Sequence, residues 1–236
     1  MKNLVFLFFF IFSFHYAQST KNLLIFTKTA GFRHECIEKG VESISEILQT
    51  NGIRFYHTED SRFFIADSLK QFDGVLFLNT TGDILNEEQQ QALETFFKSG
   101  KGFIGIHSAT DTEYDWPWYG KLIGGYFKSH PKIQKAQLEI KAPTHISTRH
   151  LEKRWLHEDE WYNFKQLHPN IQILMYVDES SYQGGEMGDN HPVSWYREFE
   201  GGRMFYTALG HTLESYDDVN FRKHILGGIL YVLKLD

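Results

Sequence analysis

Cysteine is all but missing from this chain: Cys36 is the only one in 236 residues. A lone thiol closes no internal disulfide and builds no cysteine zinc knuckle, so the protein must fold on its core alone. Cys36 itself falls at an apolar helical position with Val41, Ile44 and Ile47, the setting of a small buried residue rather than a nucleophile. Positive charge is also lacking. The net charge of −6 becomes −7 once Lys2 is set aside with the leader described next, which offers nothing to nucleic acid or an anionic membrane. No apolar run is long enough to cross a bilayer. Residues 4–14 are uncharged but number only eleven, behind Lys2 and ahead of the small Ala17. That is the pattern of a cleaved secretory leader over residues 1–17, with residues 18–236 as the mature, exported protein, periplasmic or secreted. Repeats, low-complexity tracts and interdomain linkers are absent, and the mature length suits one domain with a full core.

What is present is an alternation of strands and helices. Residues 22–27 read as a buried strand, 35–49 as an amphipathic helix closed by Asn51 and Gly52, and 53–58 as a second strand. A short helix follows over 63–69, then a strand over 73–79, a helix over 86–98 and a fourth strand at 103–106. Strand and helix in strict alternation specify an α/β fold with a doubly wound, mostly parallel sheet. The second half is less regular. Residues 118–127 read as helix, 132–141 alternate in the β manner, and 145–163 are dense in charge and aromatics. Residues 171–177 form a further strand, 180–190 a glycine-rich loop, 191–199 and 202–208 a strand pair, and 220–233 a closing helix.

Chemistry is expected beyond the carboxyl ends of the strands. His107 ends the fourth strand, followed by Ser108, Thr110 and Asp111; a histidine there can serve as base, metal ligand or rim residue. His211 ends a later strand in the same glycine-then-histidine form and would open onto the same rim. His34 follows the first strand beside Arg33, whose guanidinium could hold a carboxylate or a sugar hydroxyl. His130 sits in a His-Pro turn, and Asp159 and Glu160 abut Trp161 and Tyr162. No His-x-x-x-His helix pair and no His-x-His strand pair supplies a local zinc motif. A divalent metal would need a dispersed set drawn from His34, His107, His130 and His211. The tryptophans at 116, 118, 155, 161 and 195, with Tyr119 and Tyr162, fall beside polar clusters. Those that do not pack in the core would suit the C–H faces of sugar rings.

Five ordered motifs bring a family into view: Phe32-Arg33-His34, Gly105 to Thr110, Gly124 to Pro131, Asp159 to Asn163, and Leu209-Gly210-His211. Together they resemble the ThuA-like, or trehalose utilisation, family over essentially the whole mature chain. The resemblance implies a flavodoxin-like sheet with helices on both faces, of class I glutamine amidotransferase type. In true amidotransferases a cysteine occupies the sharp strand-to-helix turn where this chain has His107, so the thiol-dependent glutaminase route is excluded. The resemblance further implies a place in disaccharide catabolism, beside dehydrogenases that make 3-keto sugars. A ketone at C3 acidifies the C2 proton, so His107 and His211 are candidates for base and acid with Asp111 or Asp159 orienting. Arg33, His34, Ser108, His130, Asp159, Glu160, Tyr162 and Trp195 are the candidate substrate contacts. A sugar-binding module without turnover and a metal-dependent glycoside hydrolase are the alternatives.

Overall fold

A computed structural model describes residues 21–236, so the expected leader lies outside it. Among the described residues no helix is long and apolar enough to cross a membrane. Four strands come from the first half: β1 (Asn22–Phe26), β2 (Arg54–Thr58), β3 (Gly74–Leu78) and β4 (Gly102–Ile106). They are joined by α1 (Ile37–Thr50), the single turn α2 (Ala66–Leu69) and α3 (Glu87–Lys98). The expected helix over 63–69 is thus divided, with a separate 3-10 turn at Ser61–Phe63. The start of α3 is fixed by a capping box, in which Asn86 and Gln89 each satisfy the other's backbone N–H.

The second half supplies α4 (Pro117–Ile123), β5 (Tyr126–Ser129), β6 (Gln134–Ile140), β7 (Arg154–Asp159) and β8 (Asn163–Lys165). It continues with β9 (Gln172–Val177), β10 (His191–Phe199), β11 (Gly202–Thr207) and α5 (Val219–Val232). The helix expected over 118–127 stops early because Gly124 turns left-handed at φ 91°, and the chain re-enters as β5.

One nine-stranded sheet runs β2-β1-β3-β4-β11-β10-β9-β6-β7, and β5 pairs with β8 in a separate ribbon. The first five strands are mutually parallel, in the flavodoxin-like order; every pairing from β11 to β7 is antiparallel. β3 and β4 are buried along their whole length. They lie between the layer of α1 and α5 and the layer of α3 and α4. Gly102 faces Val232 of α5, whereas Gly105 faces Ile123 of α4.

The antiparallel half cannot be flat. Four strand spacings separate β7 from β11, about 19 Å along an open sheet. Yet the Asp159 carboxylate, on the last residue of β7, lies 2.8 Å from the Gly210 backbone nitrogen just beyond β11. The extension therefore curls back over the carboxyl rim of the parallel half. Alternate strand directions also leave β7 pointing the same way as β11, so its carboxyl end reaches that rim.

Candidate active site

Three parallel strands deliver three imidazoles to one place. His34 is carried by the β1–α1 loop, His107 ends β4, and His211 stands in the loop after β11, whose Thr207 pairs in register with Ile106. The rings of His34 and His107 lie 4.8 Å apart between centres, those of His34 and His211 5.1 Å, and those of His107 and His211 5.0 Å.

His107 occupies a strained position. Its φ of 51° is in the left-handed region that residues other than glycine seldom adopt. Surrounding contacts impose it. Tyr206 Oη donates to the His107 carbonyl at 2.8 Å, and Tyr119 Oη donates to the Ala109 carbonyl at 2.6 Å. Gly105 makes room for the turn, since a Cβ there would come within 2.5 Å of Ile123 Cδ1. The result is a sharp strand-to-helix elbow that aims the imidazole outward from the sheet.

The fourth member comes from the curled half. Glu160 immediately follows β7, and its Oε2 lies 3.2 Å from His211 Nδ1 and 3.6 Å from His107 Nε2. His107 Nε2 and His211 Nδ1 are 3.1 Å apart. One ligand atom from each of His34, His107, Glu160 and His211 can be chosen so that all lie within 4.8 Å of one another. Ligands bonded at about 2.1 Å to a tetrahedral ion stand roughly 3.4 Å apart, so the four could close on an ion after small inward shifts.

The protons fit the same description. Ala208 O can only accept, so His107 Nδ1 donates to it, at 2.8 Å, which turns Nε2 toward Glu160 and His211. Burial, with His107 and His211 close by, lowers the His34 pKa to about 2, so its ring is neutral. Burial works against charge on Glu160, but hydrogen bonds from His107 and His211 outweigh it and hold the carboxylate ionised. For His211 burial is again opposed, here by Glu160, and the ring keeps its proton more tightly than a free histidine. A cation entering the shell would displace that proton.

Asp159 fastens the two halves together. Completely buried, its carboxylate accepts from Gly210 N at 2.8 Å, His211 N at 3.0 Å and Ser215 Oγ at 2.9 Å. His157 Nε2 stands 3.4 Å away, and this pairing overcomes burial to depress the Asp159 pKa. On the other side, the Gly210 carbonyl accepts from Asn79, Tyr216 and the Cys36 thiol. Cys36 is a buried hydrogen-bond donor whose pKa burial pushes up to about 12.

The family model for trehalose utilisation, ThuA, matches residues 22–232. This chain belongs to the ThuA family. Two solved structures described as ThuA-like share the fold. The one from Bacteroides uniformis ATCC 8492 is 20% identical, covers 92% of this chain and 93% of its own, and has a TM-score of 0.76. That from Parabacteroides merdae ATCC 43184 is 17% identical, covers 92% and 91%, and has a TM-score of 0.78. A beta-galactosidase from Bacillus circulans sp. alkalophilus matches over 91% of this chain but 30% of its own, at 12% identity and a TM-score of 0.56. None of the curated proteins matches the sequence.

In this ThuA-family fold the cluster forms the floor of a cleft of about 440 Å³. Phe32, His34, Asp111, Phe127, His130, Glu160, Tyr162 and His211 line it. His107 lies beneath, its ring 4.3 Å from that of Tyr162. His130 Nδ1 donates to the Pro131 carbonyl at 2.9 Å and lies 2.8 Å from Glu160 Oε1, the carboxylate's second oxygen. Ser108 is buried behind His34, with Oγ 3.5 Å from its Nδ1.

Other candidates stand elsewhere. The Arg33 guanidinium is held by Glu38 at 2.7 Å and Glu59 at 2.9 Å and does not line the cleft. Trp195 is completely buried, its Nε1 donating to Ile123 O at 2.8 Å. Asp159 holds backbone rather than facing the cleft, and the His107 ring is oriented by Ala208 O instead of by Asp111 or Asp159. The tryptophans at 116, 155 and 161 are core residues as well. The aromatic walls are Phe32, Phe127 and Tyr162. Of these, Phe32 and Phe127 are not flagged by the sequence, although Phe32 sits in one family motif and Phe127 in another.

Proposed function

We propose that this ThuA-family protein is an exported enzyme of carbohydrate catabolism. It binds a divalent transition metal through His34, His107, His211 and Glu160 and cleaves a 3-keto-disaccharide at that site. The observation that supports the reading best is the four-residue shell itself, set on a strained elbow at the floor of an aromatic cleft. Three imidazoles and one carboxylate suit zinc, iron, nickel or manganese better than magnesium or calcium, which prefer all-oxygen shells. A metal there supplies Lewis acidity toward a substrate oxygen.

The cleft walls favour a neutral sugar. Phe32, Phe127 and Tyr162 offer ring faces to C–H surfaces, Asp111 and His130 offer hydrogen bonds, and no lysine or arginine is among the lining residues. A ketone at C3 makes the neighbouring C–H acidic enough for a side-chain base. Removal of that proton expels the glycosidic oxygen, which is why a keto-disaccharide is preferred here over the parent sugar.

Incubation of the mature protein with trehalose and with 3-keto-trehalose, with and without zinc or manganese, tests the proposal by mass spectrometry. Metal-dependent cleavage of the keto sugar alone is the expected result. Cleavage of both sugars would replace it with a metal-dependent glycoside hydrolase. Binding without cleavage of either would replace it with a sugar-binding module.

A further inference from the structure

We infer that Asp111 is the residue that moves the proton at this site, in place of the two histidines that the sequence suggests as base and acid. The inference rests on the metal-dependent reading above and follows from which lone pairs remain. Each imidazole in the shell has one nitrogen turned to the cluster. His107 has committed its other nitrogen to Ala208 O. Once a cation takes the Nε2 lone pair of His107 and the Nδ1 lone pair of His211, neither of these atoms can accept a proton from substrate. The same holds for Glu160, whose two oxygens are turned to the shell and to His130.

Three titratable side chains that line the cleft then remain: Asp111, His130 and Tyr162. His130 spends its Nδ1 proton on the Pro131 carbonyl, and Tyr162 is a buried phenol held well above its usual range. His130 Nε2 is the other free acceptor, but it stands on an exposed ring, whereas Asp111 is half-buried and keeps a free carboxylate oxygen. Its Oδ1 accepts from Tyr114 Oη at 2.6 Å, while Oδ2 has no hydrogen-bond partner among the described residues. The carboxylate is half-buried, at the edge of the 3-10 turn that begins with His107, so it shares the cleft with the shell without belonging to it. Tyr114 touches Asp111 directly, and the other ionisable groups that act on it are His107, His130 and Lys165. Burial raises its pKa toward the range of a working base despite these partners.

The step balances without an added reactant. An Asp111 oxygen takes the proton from the carbon between the ketone and the glycosidic carbon. The C–H electron pair becomes the new C=C bond, and the glycosidic C–O bond breaks with its pair leaving on oxygen. The proton on Asp111 then passes to that oxygen. The keto-disaccharide divides into an unsaturated ketone and a free sugar, with nothing oxidised, reduced or hydrolysed.

The test uses zinc-loaded wild type, Asp111→Asn, Asp111→Glu and Tyr114→Phe with 3-keto-trehalose. It measures kcat and KM across pH, zinc affinity by calorimetry, and exchange of the substrate's C2 proton in deuterated water by NMR. Asp111→Asn is expected to lose at least about 100-fold in kcat together with the exchange. Its zinc affinity stays at the wild-type value, and Asp111→Glu recovers part of the rate. Tyr114→Phe should move the acidic limb of the pH profile upward, because the phenol's hydrogen bond favours the charged carboxylate. A purely structural role would not move that limb. Turnover by Asp111→Asn at the wild-type rate overturns the assignment while leaving the metal-dependent reading intact. A wild type that neither cleaves nor exchanges overturns both.

Discussion

The two halves of the sheet reach the same cleft by opposite means. The parallel half, β2-β1-β3-β4-β11, is a buried scaffold whose strand ends carry His34, His107 and His211 on short loops. The antiparallel half, β10-β9-β6-β7 with the β5–β8 ribbon, curls over that rim. It adds Glu160 and Tyr162 beyond β7, and Phe127 and His130 from β5 and the turn after it. One half supplies three imidazoles on a rigid base; the other supplies the carboxylate and most of the wall. The cleft exists only where both meet, and Asp159 is the joint.

Breaking the joint should have the largest effect. Asp159→Ala leaves the N–H groups of Gly210 and His211 and the Ser215 hydroxyl without their acceptor, and His157 without its partner. A loss of about 3–5 kcal/mol is expected from removing one partner of such a buried network, read by urea unfolding. Zinc affinity should fall with it, because the His211 backbone is released. Removing a ligand from the scaffold separates site from fold. His107→Ala should weaken zinc binding more than about 100-fold, beyond the usual cost of an outer-shell change, while urea unfolding of the metal-free protein shows a much smaller change.

Acid should loosen the contact between α5 and the antiparallel half. His224 of α5 is completely buried against Ser147 and Ser194, and burial lowers its pKa to about 3. Its folded value lies below the unfolded value of about 6.5, so the unfolded chain binds more protons between the two. Stability is therefore full above about pH 6.5 and falls by up to about 1.4 kcal/mol per pH unit as pH drops toward the folded value. Urea midpoints measured from neutral into mildly acidic buffer check this, and His224→Gln should flatten the slope. The smallest effect is expected at Arg33. Its ion pairs are exposed, so Arg33→Ala should change stability by less than about 0.5 kcal/mol and leave zinc affinity untouched.

How much of this was legible in the sequence divides along the same line. In the parallel half, buried runs ending in polar clusters gave strand positions within a residue or two, and the pairing of His107 with His211 followed from their shared glycine-histidine form. In the other half, Glu158-Asp159-Glu160 looks like a solvated charge run. Strand alternation leaves Glu158 exposed and Asp159 fully buried, and the end of the strand turns Glu160 to the cluster. That could not be read without knowing that residues 154–159 are a strand, nor that the sheet curls by four strands. The aromatics misled for a related reason. Tryptophans beside charged segments suggest an exposed binding face, but Trp155, Trp161 and Trp195 pack into the antiparallel half and Trp116 against Tyr119. The cleft is left to Phe32, 65% exposed at its lip, and to Phe127 and Tyr162.

The central claim is that four residues from both halves form one metal shell. The direct test is metal content and zinc affinity of the purified mature protein beside His107→Ala and Glu160→Gln, one ligand from each half. One tightly bound ion per chain, with affinity lost in both variants, is what the shared shell predicts. Binding lost in neither variant, or no zinc bound by the wild type, would contradict it.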